Sequence, residues 1–193
     1  MRKAYAKIVL VIAIMIVAIW YCYLGGYRFT PLEAAHFDIG ENSVPFGNVD
    51  FGWGKVILFN TPNGPRTVLA IRSGFLWRAP DVCTLDKLSS DKINTVGWMS
   101  YNSSKNQATV LAVQSSDPNV AFIEMGSASE QEKKAVKTGT PIIFSWNKLI
   151  QFYDLKPTAL SKDGAPLYEY RYPKNTNVIS SNDLKWYPVN GDK

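Results

Sequence analysis

Ile8 to Leu24 reads IVLVIAIMIVAIWYCYL, seventeen residues without a charge, an amide or a proline, and no other feature of the chain restricts its fold so strongly. A helix of that length reaches about 25 Å. That is a little short of the roughly 30 Å hydrocarbon core of a bilayer, but Ala4, Tyr5, Ala6, Gly25 and Gly26 can extend it. Trp20, Tyr21, Tyr23 and Tyr27 gather at the far end, where amphipathic rings favour the headgroup level. A core helix of a soluble domain seldom lacks a polar face so completely. The segment from Ile8 to Leu24 is therefore expected to span a membrane.

A cleaved signal peptide shares the basic start and the apolar run, and differs in its cleavage site. Here the run is followed by bulky Trp20, Tyr21, Tyr23 and Leu24 in place of small residues, so an uncleaved signal-anchor is expected. Arg2, Lys3 and Lys7 precede the span and only Arg28 closely follows it, which puts the N-terminus in the cytoplasm and the remainder outside. Taking those three cations from the 21 Lys plus Arg leaves 18, against 16 Asp plus Glu. The basic balance thus belongs mostly to the anchor, and no Lys/Arg patch of recognition size points to nucleic acid.

The exported part is apolar enough to fold and too poor in charge for a disordered chain. After the span, Thr30 as N-cap, Pro31 at the first helical position and Glu33 two residues later form a capping box. A short membrane-proximal helix over Pro31 to Ile39 is predicted, with Leu32, Ala35 and His36 on one side, Gly40 as its stop, and the folded domain as its support. From Phe51 the pattern becomes β-branched and aromatic. KVILFN, the turn TPNGP and RTVLAIRS predict a hairpin covered on both sides, with Val56, Leu58, Val68 and Ala70 on one face and Ile57, Phe59, Leu69 and Ile71 on the other. APDVCTLDKLSSDKIN, with Pro80, is predicted to connect two subdomains, and SASEQEKKAVK to be a solvated loop or short helix.

Strand patterns then recur about every ten residues, and Lys162, Asp163 and Gly164 mark a last hairpin. The fold class expected is mainly β (α+β), with a transmembrane helix, a short helix, a β-meander and an immunoglobulin-like β-sandwich-type module. The divisions are residues 1–7 cytoplasmic, 8–24 transmembrane, 25–94 helix plus meander, 95–173 sandwich and 174–193 polar tail. The cysteine pair joining the sheets of antibody domains is absent, since Cys22 lies in the anchor and Cys83 in the connector.

The order of T-P-x-E-A, G-F-L-W-R-A, D-P-N-V-A-F-I-E, I-I-F-S-W and A-L-S-K-D-G-x-x-L-Y-E-Y, over Thr30 to Tyr172, resembles uncharacterised small membrane-anchored exported proteins of Gram-positive bacteria. In those proteins a C-terminal β-module carries the segments that match Asp117 to Glu124, Phe144 to Trp146 and Asp163 to Tyr170. The resemblance implies location and architecture, and no chemistry. The chain departs from the lipidated members in having Trp20 and Tyr21, not small residues, before Cys22.

Catalytic and cofactor patterns are sparse. A single histidine, His36, excludes a site of two or three histidines, and a His36–Cys83 thiol dyad would need the two side chains in contact. No nucleophile elbow, zinc-protease or phosphate-loop motif occurs, so no catalytic residue, metal or cofactor is assigned. Asp50, Asp81, Glu124, Asp154 and Glu169 are the carboxylates available to a glycosidase-like pair. Among the tryptophans, Trp77, Trp98 and Trp146 fall in predicted strands, whereas Trp53 and Trp186, with Tyr187, are the candidate partner surface. The expected role is non-catalytic: an extracytoplasmic binding or accessory protein acting on a membrane or cell-wall-associated protein. The alternative is an exported carboxylate-dependent hydrolase of cell-wall polymers.

Overall fold

A computed structural model of the chain describes residues 2–86, 90–174, 180 and 183–190. Helix α1 (Arg2–Leu24) contains an apolar stretch, Tyr5–Leu24, long enough to cross a membrane, and none of it is buried against the rest of the protein. Its many Ile and Val residues are only moderate helix formers in water. In hydrocarbon the helix is favoured because it satisfies every main-chain group internally.

The helix ends in a Schellman motif: Tyr27 N–H donates to Cys22 C=O (3.0 Å) and Gly26 N–H to Tyr23 C=O (3.2 Å). Glycine is needed at position 26 twice over. Its φ is +79°, and a Cβ there would stand 3.1 Å from the Phe37 ring. Arg28 completes the corner, donating from Nη1 to the carbonyls of Tyr23 (2.8 Å) and Tyr27 (2.9 Å).

Helix α2 (Pro31–Ile39) forms as its sequence indicates. Glu33 N–H donates to Thr30 Oγ1 and Thr30 N–H to Glu33 Oε2, each at 3.2 Å, and Gly40 ends the helix at φ +87°. Of the expected contact line, Ala35 and His36 pack on the sheet, joined by Ala34 and Ile39 because alanine lets the helix approach closely, whereas Leu32 is left 42% exposed.

Strands β1 (Val44–Asp50), β2 (Gly54–Thr61), β3 (Gly64–Ser73) and β4 (Leu76–Thr84) make an antiparallel sheet in chain order, sheet I. The β2–β3 hairpin turns at Pro62 and Asn63, as predicted, but its faces are shifted by one residue. Val56 pairs with Leu69 and Ile57 with Val68, so Val56 shares a face with Leu69 and not with Val68. Both strands are buried on both faces, so hydrophobicity carried no register information and the turn alone set it. The stretch from Ala79 is not a connector at its start, because β4 continues through Cys83 to Thr84. Pro80 is tolerated there since β4 is an edge strand and its register shifts opposite Ala70. Lys87, Leu88 and Ser89 of that stretch lie outside the described residues.

The rest of the chain forms β5 (Ile93–Asn102), β6 (Gln107–Ser115), β7 (Phe122–Ser127), β8 (Glu130–Ala135), β9 (Ile142–Trp146), α3 (Phe152–Leu155), β10 (Thr158–Leu160), β11 (Pro166–Arg171) and β12 (Lys185–Pro188). Sheet II has the order β5-β6-β9, and sheet III the order β12-β11-β10-β7-β8. Strand β8 corrects the expected loop or helix: Glu130 to Ala135 pair with β7 at the edge of sheet III. The Glu and Lys residues there suit an edge strand, since charge discourages a further strand from adding. Glu130 pairs with Lys148 (2.9 Å), and Lys134 with Glu132 (3.0 Å).

The sheets stack behind α2 in the order I, II, III. Helix α2 covers Ile57, Phe59, Val68 and Ala79 of sheet I. The other face of sheet I, with Val56, Leu58 and Leu69, meets Val96, Met99, Val110 and Ala112 of sheet II. Leu111, Val113, Phe144 and Trp146 on the far side of sheet II meet Ile123, Met125, Ala159 and Trp186 of sheet III. Sheet II is therefore covered on both faces, which is why ATVLAV in β6 is continuously buried and apolar but for Thr109. Each large side chain buried in these layers contributes roughly 1.5–3 kcal/mol.

Sheets I and II approach closely at Gly97, where any Cβ would overlap the Leu58 side chain and stand 3.1 Å from the Ala112 Cβ. Thr67 Oγ1, fully buried, accepts the Trp98 N–H across the same contact (3.2 Å). Between sheets II and III, the Asp117 carboxylate is 3% exposed and accepts from Asn119 N–H (3.0 Å), Asn119 Nδ2 (3.0 Å), Tyr168 Oη (2.8 Å) and Lys92 Nζ (3.3 Å).

Candidate functional site

The chain leaves β9, turns through α3 and enters β10 by way of Lys156, a non-glycine residue at φ +43°. Buried Leu155 and Pro157 bracket Lys156 and fix the corner. Together with the end of β11, this corner bounds a partly open cleft of about 460 Å³.

Its inner wall is aromatic. Phe152 meets Trp98 edge-on (6.2 Å between ring centres) and Tyr170 edge-on (5.2 Å), and Tyr170 lies 5.4 Å from Trp186. Trp186 Nε1 donates to Thr95 Oγ1 of β5 (3.2 Å), so the wall is tied through to sheet II. Burial pushes the Tyr170 hydroxyl above the usual tyrosine range, keeping it neutral. The lips are exposed: Tyr153 is 71% accessible and Tyr172 also faces solvent.

Charge at the cleft is mixed. Glu169 accepts from Arg171 Nε (3.1 Å) and lies 3.4 Å from Lys174 Nζ, while Arg171 Nη1 donates to the Tyr172 carbonyl (3.0 Å). Lys156 stands at the rim without a carboxylate partner among the described residues. Aromatic lips and rim cations suit a ligand with flat or apolar groups and an acidic or carbonyl-rich portion.

The residues proposed from sequence as a partner surface are not brought together. Trp186 is 5% exposed and belongs to the core, because β12 pairs Tyr170 with Trp186 and turns the indole inward. That corrects its expected surface role; Trp186 supports the cleft from behind. Tyr187 points the other way, half-buried on the outer side of sheet III, with Arg171 (4.9 Å) and Lys185 (5.4 Å) over its ring. It is the cross-strand neighbour of Glu169. Trp53 is half-buried elsewhere, stacked between Phe51 (5.9 Å) and Tyr101 (5.4 Å) beside the contact of sheets I and II. In α1, Ile8, Trp20, Tyr21, Tyr23 and Leu24 all stand exposed, clear of the rest of the protein.

His36 and Cys83 cannot form a dyad. The His36 ring packs edge-on to Phe59 on the α2 side of sheet I (5.4 Å), whereas Cys83 packs toward sheet II. Burial and the nearby Asp81 carboxylate raise the Cys83 thiol above its ordinary range, which leaves it a weak nucleophile. Of the carboxylates, Asp50 is engaged by Lys55 (3.1 Å) and by the Gly52 N–H (2.8 Å). Glu124 and Glu169 are cross-strand partners of Thr158 from opposite sides, on the outer face of sheet III. Two strand spacings put their backbones roughly 10 Å apart on that face.

Sequence reasoning passed over Lys156, Tyr153 and Tyr172. The alternation of Tyr168, Tyr170 and Tyr172 was the available signal, since it places three tyrosines on one side of β11 and its extension. Comparison with known proteins gives no match, either to a family model or to a curated protein or solved structure.

Proposed function

We propose that this is a single-pass, membrane-anchored extracytoplasmic protein that binds a membrane or cell-wall-associated protein through the cleft between α3 and β11. Helix α1 serves as the uncleaved anchor with its N-terminus in the cytoplasm, which fits the exposed apolar surface of Tyr5–Leu24 and the basic residues before it. This reading also fits an origin among exported proteins of Gram-positive bacteria. Sheets II and III act as an immunoglobulin-like display module. Counted from β5, the first, second and fifth strands share one sheet, and the third, sixth and seventh share the other, as in that fold. Here the fourth strand joins the third, and β12 adds an eighth.

The aromatic-lipped cleft carries the binding reading. Its walls are held by the core while Tyr153 and Tyr172 stand free, an arrangement that presents apolar area at low entropic cost. A photo-crosslinking amino acid at Tyr153 of the full-length protein in native membranes should yield one recurrent protein adduct. That adduct should weaken at least fivefold in a Tyr172→Ala, Lys156→Ala variant. Equal capture from a control position at Lys105, on the β5–β6 turn, would count against it.

A second reading, hydrolysis of a wall polymer, draws on Glu124 and Glu169 flanking Thr158. Their side chains share one face of the sheet two strand spacings apart, a span that leaves room for a water between them, as inverting pairs require. Against it, Glu169 is engaged by Arg171 and Lys174, and the pair stands on a sheet face, not across a cleft. Loss of wall-polymer hydrolysis in both Glu124→Gln and Glu169→Gln would favour this reading over the first.

A further inference from the structure

The exposed apolar surface does not stop at α1. Phe29 and Phe75 are each 74% exposed, and they stack on one another with ring centres 6.5 Å apart. Phe75 occupies the two-residue turn between β3 and β4, beside Gly74 at φ +63°. A tight hairpin turn ordinarily carries small polar residues, and a phenylalanine presented there adds nothing to the buried core. Phe37, 49% exposed on α2, lies against Gly26 at the corner after α1.

Position is set by the corner after α1. Phe29 follows Leu24 by five residues, and those residues are folded back by the Schellman turn and by Arg28, whose guanidinium lies over the rings of Tyr23 (4.0 Å) and Phe37 (4.5 Å). Arg28 N–H also donates to Trp77 C=O (2.8 Å), and Trp77 N–H to Arg28 C=O (2.7 Å), fastening the corner to β4. Whatever depth Tyr21 and Tyr23 take, Phe29 and Phe75 are held close beyond it. Exposed Arg72 and Arg78 flank the turn; Asp38 on α2 is the carboxylate facing Arg78.

We infer that Phe29 and Phe75 form a second membrane contact, inserting into the headgroup layer of the leaflet that α1 exits, with Arg72 and Arg78 toward lipid phosphates. The occupant is the lipid surface because the patch is continuous with the spanning helix and its rim is cationic. This inference rests on α1 crossing the bilayer. The two contacts together fix the tilt of the sheet stack and hold the cleft at a set height above the membrane.

The test uses full-length protein with Cys22→Ser and Cys83→Ser, reconstituted in vesicles of phosphatidylcholine alone or with 30% phosphatidylglycerol. An NBD fluorophore is placed by Ser73→Cys, which leaves both rings intact, and in separate samples by Ile16→Cys and Lys162→Cys. Nitroxide lipids quench at shallow or deep positions. The expected result is deep quenching at position 16. At position 73, shallow quenching should be at least twofold greater than at position 162, stronger with anionic lipid, and lost in a Phe29→Ser, Phe75→Ser variant whose near-ultraviolet circular dichroism is unchanged. Deep quenching at 16 with position 73 no different from 162 would overturn the second contact and leave the anchor standing. Absence of quenching at 16 would overturn both. Shallow quenching at 73 that survives the double variant would show that the rings do not mediate the contact, and would overturn the inference as well.

Discussion

Replacing Asp117 tests whether sheets II and III are joined by a polar node as well as by apolar packing. The carboxylate is almost fully buried and holds four donors, two of which, the Asn119 N–H and the Tyr168 hydroxyl, have no other carboxylate to turn to within the node. A hydrogen bond to a charged group contributes about 1.5–3 kcal/mol. Lys92 is 64% exposed, so its ion pair adds little, and its solvated position marks one side of the node as open to water. Discounting for that access, Asp117→Ala should cost about 2–4 kcal/mol, and Asp117→Asn, which keeps one acceptor oxygen, about 1–2 kcal/mol.

The pH dependence has a definite sign. The Asn119 backbone N–H, with Tyr168 and Lys92 assisting against burial, holds the Asp117 carboxyl below the usual carboxylate range. Its contribution is therefore complete above the unfolded value of about 3.9 and is lost as pH falls through the lower native value. Urea unfolding of the full chain in detergent micelles, followed by tryptophan fluorescence from pH 7 to pH 3, reads both effects. The gap between wild type and Asp117→Asn should stay constant above about pH 5 and narrow below it. An Asp117→Ala variant within 1 kcal/mol of wild type, with no narrowing at acid pH, would refute the node.

Trp186→Ala should destabilise the protein by about 3–5 kcal/mol and shift the unfolding midpoint, whereas a surface tryptophan would leave it unmoved. Gly97→Val should separate sheets I and II around Leu58 and cost more than about 2 kcal/mol, measured by the same urea titration; an unchanged midpoint would mean that the sheets do not meet there. Cys83 should react with a soluble maleimide far more slowly than an unfolded thiol at pH 7, because burial raises its pKa, and urea should abolish the protection.

Much of the architecture was legible because it rests on local signals. Helix α1 is marked by a long uncharged run, α2 by the reciprocal bonds of Thr30 and Glu33, and the hairpins by Pro62-Asn63 and Asp163-Gly164. What was hidden depends on what lies across a sheet. Strands β2 and β3 are apolar on both faces, so a one-residue shift left no trace in their pattern. Strand β8 looked like a loop because an exposed edge strand tolerates the charges of a loop. Trp186 looked free because its segment is polar, yet pairing with β11 turns it into the core. The cleft is assembled from β11 and the α3 corner, and neither segment carries a motif that names the other.

The anchor, its direction and the exposure of the binding module are tested together by labelling in intact cells. In a Cys22→Ser, Cys83→Ser background, single cysteines at Lys3 and at Lys162 are treated with a membrane-impermeant maleimide before and after permeabilisation. The expected result is that position 162 labels at once, position 3 labels only after permeabilisation, and the protein stays in the carbonate-washed membrane fraction. Labelling of position 3 but not position 162 in intact cells, or release of the protein into the soluble fraction, would contradict a membrane-anchored module facing outward.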